Sequence, residues 1–426
     1  MKKIVISTVV VCLMGWFAEA SGATINAANC SSSAVTAAVA SASDGDTVIV
    51  PAGTCTWSSS VAISKAITLQ GQGVGATIVL DGVASGALLS FNLVANRASR
   101  LTGIEFRNGT RASMEYNGVV GVTGLNTDSR TMRVDHCKFD HLLGPALQFE
   151  TVIGVVDHNT YIGTPTSRFI NVWDKLWNGG SWGDRAWSDA TGFGGPNFLF
   201  IEDNVMSYGP SDYYALIDGF AGARFVLRYN TIVNGWVEAH GSDSSGRFRG
   251  TRAVEIYNNT FTSNATNKYI VDLRSAVALI HNNTASGFWG EGIFELTNYR
   301  RNQSFGPWGL ADGTNPWDYN VNGRVARALD QPCVSGGSLI TGDTPALPAG
   351  WNNQVVDACY EWNNTESGRN VNFAPGFDNI VDGVHFFNDT RKPGYTPYTY
   401  PHPLTVGGSI GTSSPQPPGN LRIVSQ

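Results

Sequence analysis

Apolar and polar residues alternate in runs of four or five along most of the chain, and each run ends at a polar corner. Runs of that length with a period of two predict short β-strands. One pattern recurs: an alternating strand, then Asn, then a small or β-branched residue. It reads Val155-Val156-Asp157-His158-Asn159-Thr160-Tyr161, and returns around Asn204, Asn230, Asn259, Asn283 and Asn364. Earlier copies carry Ile104 and Cys137 where Asn later stands. Successive copies lie 33, 22, 45, 26, 29, 24 and 81 residues apart. A period of about 20–30 residues made of short strands predicts a solenoid. Asn suits a stacked corner position: its amide both donates and accepts, and it tolerates a left-handed backbone.

A second strand recurs between the Asn copies, with an acid, or Gln in the first copy, between mostly apolar positions. The copies read Leu147-Gln148-Phe149, Trp173-Asp174-Lys175, Ile217-Asp218-Gly219, Val237-Glu238-Ala239, Val271-Asp272-Leu273 and Phe294-Glu295-Leu296. If Leu147, Trp173, Ile217, Val237, Val271 and Phe294 face the core, the acids face outward. Asp174, Asp218, Glu238, Asp272 and Glu295 then form one exterior column at about 4.8 Å spacing. Like charges on neighbouring strands repel, so the column calls for a cation, arginines or raised pKa values. His240 and Arg274 fall in the next outward column. Asp243, Arg247 and Arg249 follow on the loop after the Glu238 strand.

The long intervals hold insertions. Residues 163–197 carry Trp173, Trp177, Trp182 and Trp187, and residues 298–355 carry Trp308, Trp317 and Trp351. Aromatic faces stack on sugar rings, so Trp173, Trp177 and Trp182, with Arg249 and Asp243, are the candidate substrate-binding residues. Ser31 to Ser43 has helical spacing and is placed to cap the open end of the stack.

Residues 1–23 read as a signal peptide: Lys2 and Lys3, an apolar run from Ile4 to Phe17, and small-residue cleavage sites. No other run is long enough to span a bilayer, so no transmembrane anchor is expected and the protein is expected to be secreted or periplasmic. Residues 24–403 read as one solenoid domain and 404–426 as a Gly/Ser/Pro-rich tail. In an exported chain, Cys30 with Cys55 and Cys333 with Cys359 are natural disulfide pairs. Cys137 is left as a buried thiol.

Composition narrows the partner. The 426 residues are 42% hydrophobic and only 15% charged, with a formal charge of −6. Disordered and coiled-coil proteins need denser charge, and an acidic balance argues against nucleic acid. Yet Arg outnumbers Lys 21 to 7, and Arg grips carboxylates with two parallel bonds. An acidic glycan would explain why an acidic protein needs these arginines; the nucleotide composition of the genome is the alternative source of the bias.

The capping helix, Gly45-Asp46-Thr47-Val48-Ile49-Val50-Pro51-Ala52-Gly53-Thr54 and the Asn-Asn-Thr-Phe repeats resemble the right-handed parallel β-helix superfamily, the pectate-lyase-like fold. The resemblance covers nearly the whole mature chain. It implies an all-β, single-stranded right-handed solenoid with a capping helix and loop insertions. The superfamily holds lyases, hydrolases, esterases, epimerases and adhesins. Among the polygalacturonase motifs only Asn126-Thr127-Asp128 has a counterpart, and the Arg-x-Pro-x-x-Arg of classical pectate lyases is absent. Alginate and chondroitin lyases of this fold carry Glu-x-Glu followed by a Lys base; Glu238-Ala239-His240 with Arg247 is similar in outline. No catalytic residue carries over from these motifs.

Three functions stay open. A lyase acting on a uronic-acid polymer needs the uronate carboxylate neutralised and the neighbouring proton removed. Asp218, Glu238 and Asp272 would hold Ca²⁺ for the first step, and His240, Arg247 or Arg274, with Glu238, would handle the proton. An inverting glycoside hydrolase needs two carboxyls about 6.5–9.5 Å apart, which the column can supply. A non-catalytic glycan-binding or adhesion protein would use the aromatic loops alone.

Overall fold

A computed structural model describes residues 22–124, 131–164, 167–209, 214–243, 246–267, 269–290, 293–315, 318–321, 324–335 and 355–406. Nearly all of the expected leader, Asn126-Thr127-Asp128, Trp317, Trp351 and most of the expected tail lie outside those residues.

The described strands build three long sheets of 12, 11 and 10 strands, each rung pairing parallel with the rung one coil away. A terminal hairpin, Thr365–Glu366 with Arg369–Asn370, is the antiparallel exception in the second sheet. Each coil runs through the first sheet, turns at the Asn corner into the second, and closes through the third. Crossovers between parallel strands of one sheet wind right-handed because the strands themselves twist.

Alternation sets what faces inward. In the first sheet Val48, Leu69, Leu101, Val134, Val156, Ile201, Leu227, Ile256 and Ile280 pair rung to rung and are fully buried. The Asn corner is a continuous ladder. Asn159 Oδ1 accepts from the Cys137 N–H at 2.9 Å, and Asn204, Asn230, Asn259, Asn283 and Asn364 repeat the bond on successive coils. Each residue before the ladder Asn adopts a left-handed φ, from His158 to Asn363.

Helix Ser32–Ser41, capped by Ser31, buries Val35 and Val39 against the first strands. Disulfides join Cys30 to Cys55 and Cys333 to Cys359, and Cys137 is free and buried. No described helix is long and apolar enough to cross a membrane.

The C-terminal segment runs back along the outer face of the first sheet. Arg228 donates to the carbonyls of Tyr398 and Thr399, Glu202 accepts the His402 N–H, and Arg133 reaches the Leu404 carbonyl.

Candidate active site

The third sheet sets Asp218, Glu238, Asp272 and Glu295 opposite one another on consecutive rungs. One rung in the proposed column needs correcting. Asn171, not Asp174, pairs with Asp218, and Gln148 stands beyond it. Ile170 takes the inward position given to Trp173, which instead pairs with Glu150 and Phe220. The strand contains two similar registers three residues apart, and pairing with the Leu147–Glu150 and Tyr214–Phe220 strands selects the earlier one. Asp174 is buried away from the column and accepts the Arg224 N–H at 2.9 Å.

Asp218, Glu238 and Asp272 are buried despite facing outward, and basic side chains answer the first two. Asp218 Oδ1 meets His240 Nδ1, and Asp218 Oδ2 lies 3.1 Å from Arg168 Nε. Glu238 Oε1 accepts from Arg274 Nη1 at 2.8 Å and lies 3.3 Å from His240 Nε2; its Oε2 lies 3.6 Å from Arg168 Nη2. All four oxygens of these two acids therefore face a cationic nitrogen. Arg274 also binds Asp243, with Nε 3.1 Å from Oδ2. Asp272 accepts from the Thr297 hydroxyl at 3.0 Å.

The same arrangement separates the titrations. Burial works against charge on Asp218, but His240 and Arg168 overcome it and lower its pKa. Burial also works against the His240 cation, and the charges of Asp218 and Glu238 reverse that, raising its pKa. Asp272 has no comparable cation partner. Burial, followed by the Glu238 charge, pushes it up to about 7. Arg274 is raised by Asp243 and Glu238 against its own desolvation.

Aromatic rings flank the polar column on both sides. Tyr214, Trp236 and Tyr269 form one edge-to-face series, with centroids 5.8 and 5.6 Å apart. Trp173, Phe220, Phe248 and Trp182 form the other, at 4.9–6.0 Å. Arg168 lies over the Tyr214 ring and Arg274 over the Tyr299 ring, each at 5.0 Å.

Four of the expected site residues are placed elsewhere or already committed. Arg247 and Arg249 turn away from the column and are buried on Asp184 and Asp330. These pairs tie the loop after the Glu238 strand to both insertions. Asp243 is buried on Arg274. Trp177 packs beneath the Arg224 guanidinium at 4.9 Å and donates to Asp189. Arg168 was not among the expected residues. It sits in the lead-in to its strand, outside any repeat, and only the coil brings it to Asp218. Of the expected Ca²⁺ set of Asp218, Glu238 and Asp272, the first two bring potential ligand atoms within 4.8 Å of one another together with His240, among the described residues.

Three parallel sheets wound coil upon coil decide the fold. The chain is a right-handed parallel β-helix. No protein-family profile matches it, and no curated protein matches its sequence. Among solved structures it is similar to ORF18 of Geobacillus virus E2, with 16% identity and a TM-score of 0.40 over 63% of this chain and 58% of that one. It is similar to a mutant of the PL6 family alginate lyase AlyGC, with 15% identity and a TM-score of 0.39 over 65% and 41%. An alginate lyase from Paenibacillus sp. str. FPU-7 shares 13% identity, with a TM-score of 0.33 over 67% and 96%. The β-helix thus covers less than two thirds of the first two proteins.

Proposed function

We propose that this chain is an exported polysaccharide lyase acting on a uronate-containing polymer, with the carboxylate column as its active site. One observation carries the proposal. Two guanidinium groups and an imidazole converge on a carboxylate pair between two aromatic series, on a face where folding alone asks for no charge. In β-elimination the substrate carboxylate needs a countercharge, and Arg168 and Arg274 are the groups that supply it. Asp272, titrating near 7, is the group that accepts the proton beside that carboxylate. His240, whose pKa the Asp218 and Glu238 charges raise against its burial, returns a proton to the departing glycosidic oxygen. Arg274, raised and doubly paired, serves as a countercharge in this scheme and not as the base. The two disulfides support export.

Calcium fits this donor set poorly. Each oxygen of Asp218 and Glu238 already meets a cationic nitrogen, and calcium prefers six to eight oxygens. Activity unaffected by a chelator is the expected outcome. Loss on chelation with recovery in calcium would return neutralisation to a metal.

A second reading is inverting hydrolysis. Asp218 is lowered and Asp272 raised, which is how paired carboxyls divide base and acid roles. Two rungs span roughly 9–10 Å of strand spacing, at the upper end of the inverting range. Incubation with a panel of uronate polymers separates the readings. Ultraviolet absorbance from a new conjugated double bond marks the lyase. Reducing ends without it mark the hydrolase, and neither signal marks a glycan-binding protein.

A further inference from the structure

We propose that a second saccharide site, separate from the carboxylate column, lies between the last coils of the first sheet and the returning C-terminal segment, and that it takes a uronate ring. A cleft of about 440 Å³ opens there, lined by His281, Asn282, Trp362, Asn363, Arg391 and Tyr395. That volume falls in the range of small-ligand pockets. The site stands whether or not the column is catalytic.

Its wall is aromatic. Tyr257, His281 and Trp362 occupy one position on consecutive rungs, and their rings stack nearly parallel at 4.6 and 4.2 Å. Tyr395 stands roughly perpendicular, 5.6 Å from His281 and 5.9 Å from Trp362. Such a corner suits the C–H face of a sugar ring.

Its rim is polar for a reason built into the coil. Asn283 and Asn364 turn inward into the corner ladder. Asn282 and Asn363, one residue earlier in left-handed backbone, are exposed. Their amides offer donors and acceptors to sugar hydroxyls.

Its charged groups are one guanidinium, Arg391, and one carboxylate, Asp389. Arg391 donates to the Tyr395 carbonyl at 2.9 Å and has no carboxylate partner among the described residues. The acid at the cleft, Asp389, accepts from Asn370 at 3.3 Å. A guanidinium with open donors takes a carboxylate in fork geometry.

His281 supplies an independent sign. It is 3% exposed, lines the cleft, and neither ring nitrogen has a hydrogen-bond partner among the described residues. Burial, with Arg391 nearby, pushes its pKa down to about 3, so the ring is neutral. A neutral imidazole carries one donor and one acceptor, and buried groups of this kind are normally paired. A bound hydroxyl would complete it.

The test uses the full chain carrying Glu238→Gln, so that turnover does not consume the ligand. Binding of alginate and polygalacturonate trimers, with mannotriose and galactotriose as neutral controls, is measured by calorimetry and by the His281 ring resonances. The expected result is saturable binding of a uronate trimer that shifts the His281 resonances and weakens at least tenfold in Arg391→Ala. The His281 shift separates this site from the column, because His281 lines the cleft and is not among the residues around Asp218 and Glu238. Uronate binding that leaves His281 unmoved, or that Arg391→Ala does not weaken, overturns the proposal. So does the absence of binding, or equal binding of the neutral trimers.

Discussion

Asp330 holds Arg249 in a bidentate pair, Nη2 to Oδ1 at 2.7 Å and Nε to Oδ2 at 2.9 Å, across 81 residues of sequence. Both side chains are buried, and the Gly250 N–H completes the carboxylate at 2.8 Å. Asp184 from the first insertion closes the group on Arg247 and Arg249. Buried charge pairs thus join the two insertions and the loop after the Glu238 strand.

Breaking that pair should be expensive, because the buried Arg249 loses its bidentate partner and keeps only the longer contact to Asp184. Asp330→Ala is expected to lose about 3–5 kcal/mol of stability, measured by denaturant unfolding. A double replacement of Arg249 and Asp330 by apolar residues of similar volume should recover much of the loss. Equal stability of Asp330→Ala and the native chain would show that the insertions are held by other contacts.

The corner ladder makes a second stability prediction. Asn230 accepts from the Asn204 N–H and donates to the Ile201 and Arg228 carbonyls, all buried. Asn230→Ala orphans these groups and is expected to cost at least ~2 kcal/mol. Hydrogen exchange should accelerate at the Asn204 and Asn230 amides first. A change below about 0.5 kcal/mol would mean the ladder is not a stabilising element.

These two sites mark how far the sequence could be read. The ladder was legible because Asn159, Asn204, Asn230, Asn259 and Asn283 repeat at one position, and repetition is visible without coordinates. The acids of Asp218, Glu238 and Asp272 were legible for the same reason. The Trp173-Asp174 rung was misplaced because Ile170-Asn171-Val172 offers an equally apolar setting three residues earlier, and only its neighbours choose. Arg247 and Arg249 looked available because their acids, Asp184 and Asp330, lie 63 and 81 residues away. Arg168 belongs to no repeat and has no local mark.

Asp272 predicts a pH dependence. Its folded pKa is raised to about 7 from an ordinary value near 3.8. The folded chain therefore binds the extra proton between those values, and its contribution to stability is lost as pH rises from about 4 through about 7. His240, also raised, acts in the same direction. Asp272→Asn should flatten the decline and raise the melting temperature at pH 8, while changing little at pH 4. Each tenfold change in a proton-binding constant corresponds to about 1.4 kcal/mol, so the gain at pH 8 is on the order of a few kcal/mol. An unchanged pH profile in Asp272→Asn would mean that the carboxyl titrates normally.

Glu238 is the hub on which the proposed chemistry turns, because Arg168, His240 and Arg274 all meet its carboxylate. Repulsion between stacked acids, taken alone, would leave the melting temperature of Glu238→Gln unchanged or higher. The structure reverses that expectation. The surrounding cations already answer the acids, so removing one negative charge leaves the three cations less compensated, and stability should fall modestly. Without the Glu238 charge the His240 pKa should also drop, moving the pH limb that it governs to lower pH. Cleavage should fall by roughly 100-fold or more, the usual scale for losing one positioned charge or proton-transfer group. His240→Ala added to Glu238→Gln should cost little further, because the first change already disturbs the group that the second removes. Initial rates of double-bond formation between pH 5 and 9, alongside thermal melts, measure all three effects. Full activity in Glu238→Gln with an unshifted profile would remove the column from the chemistry.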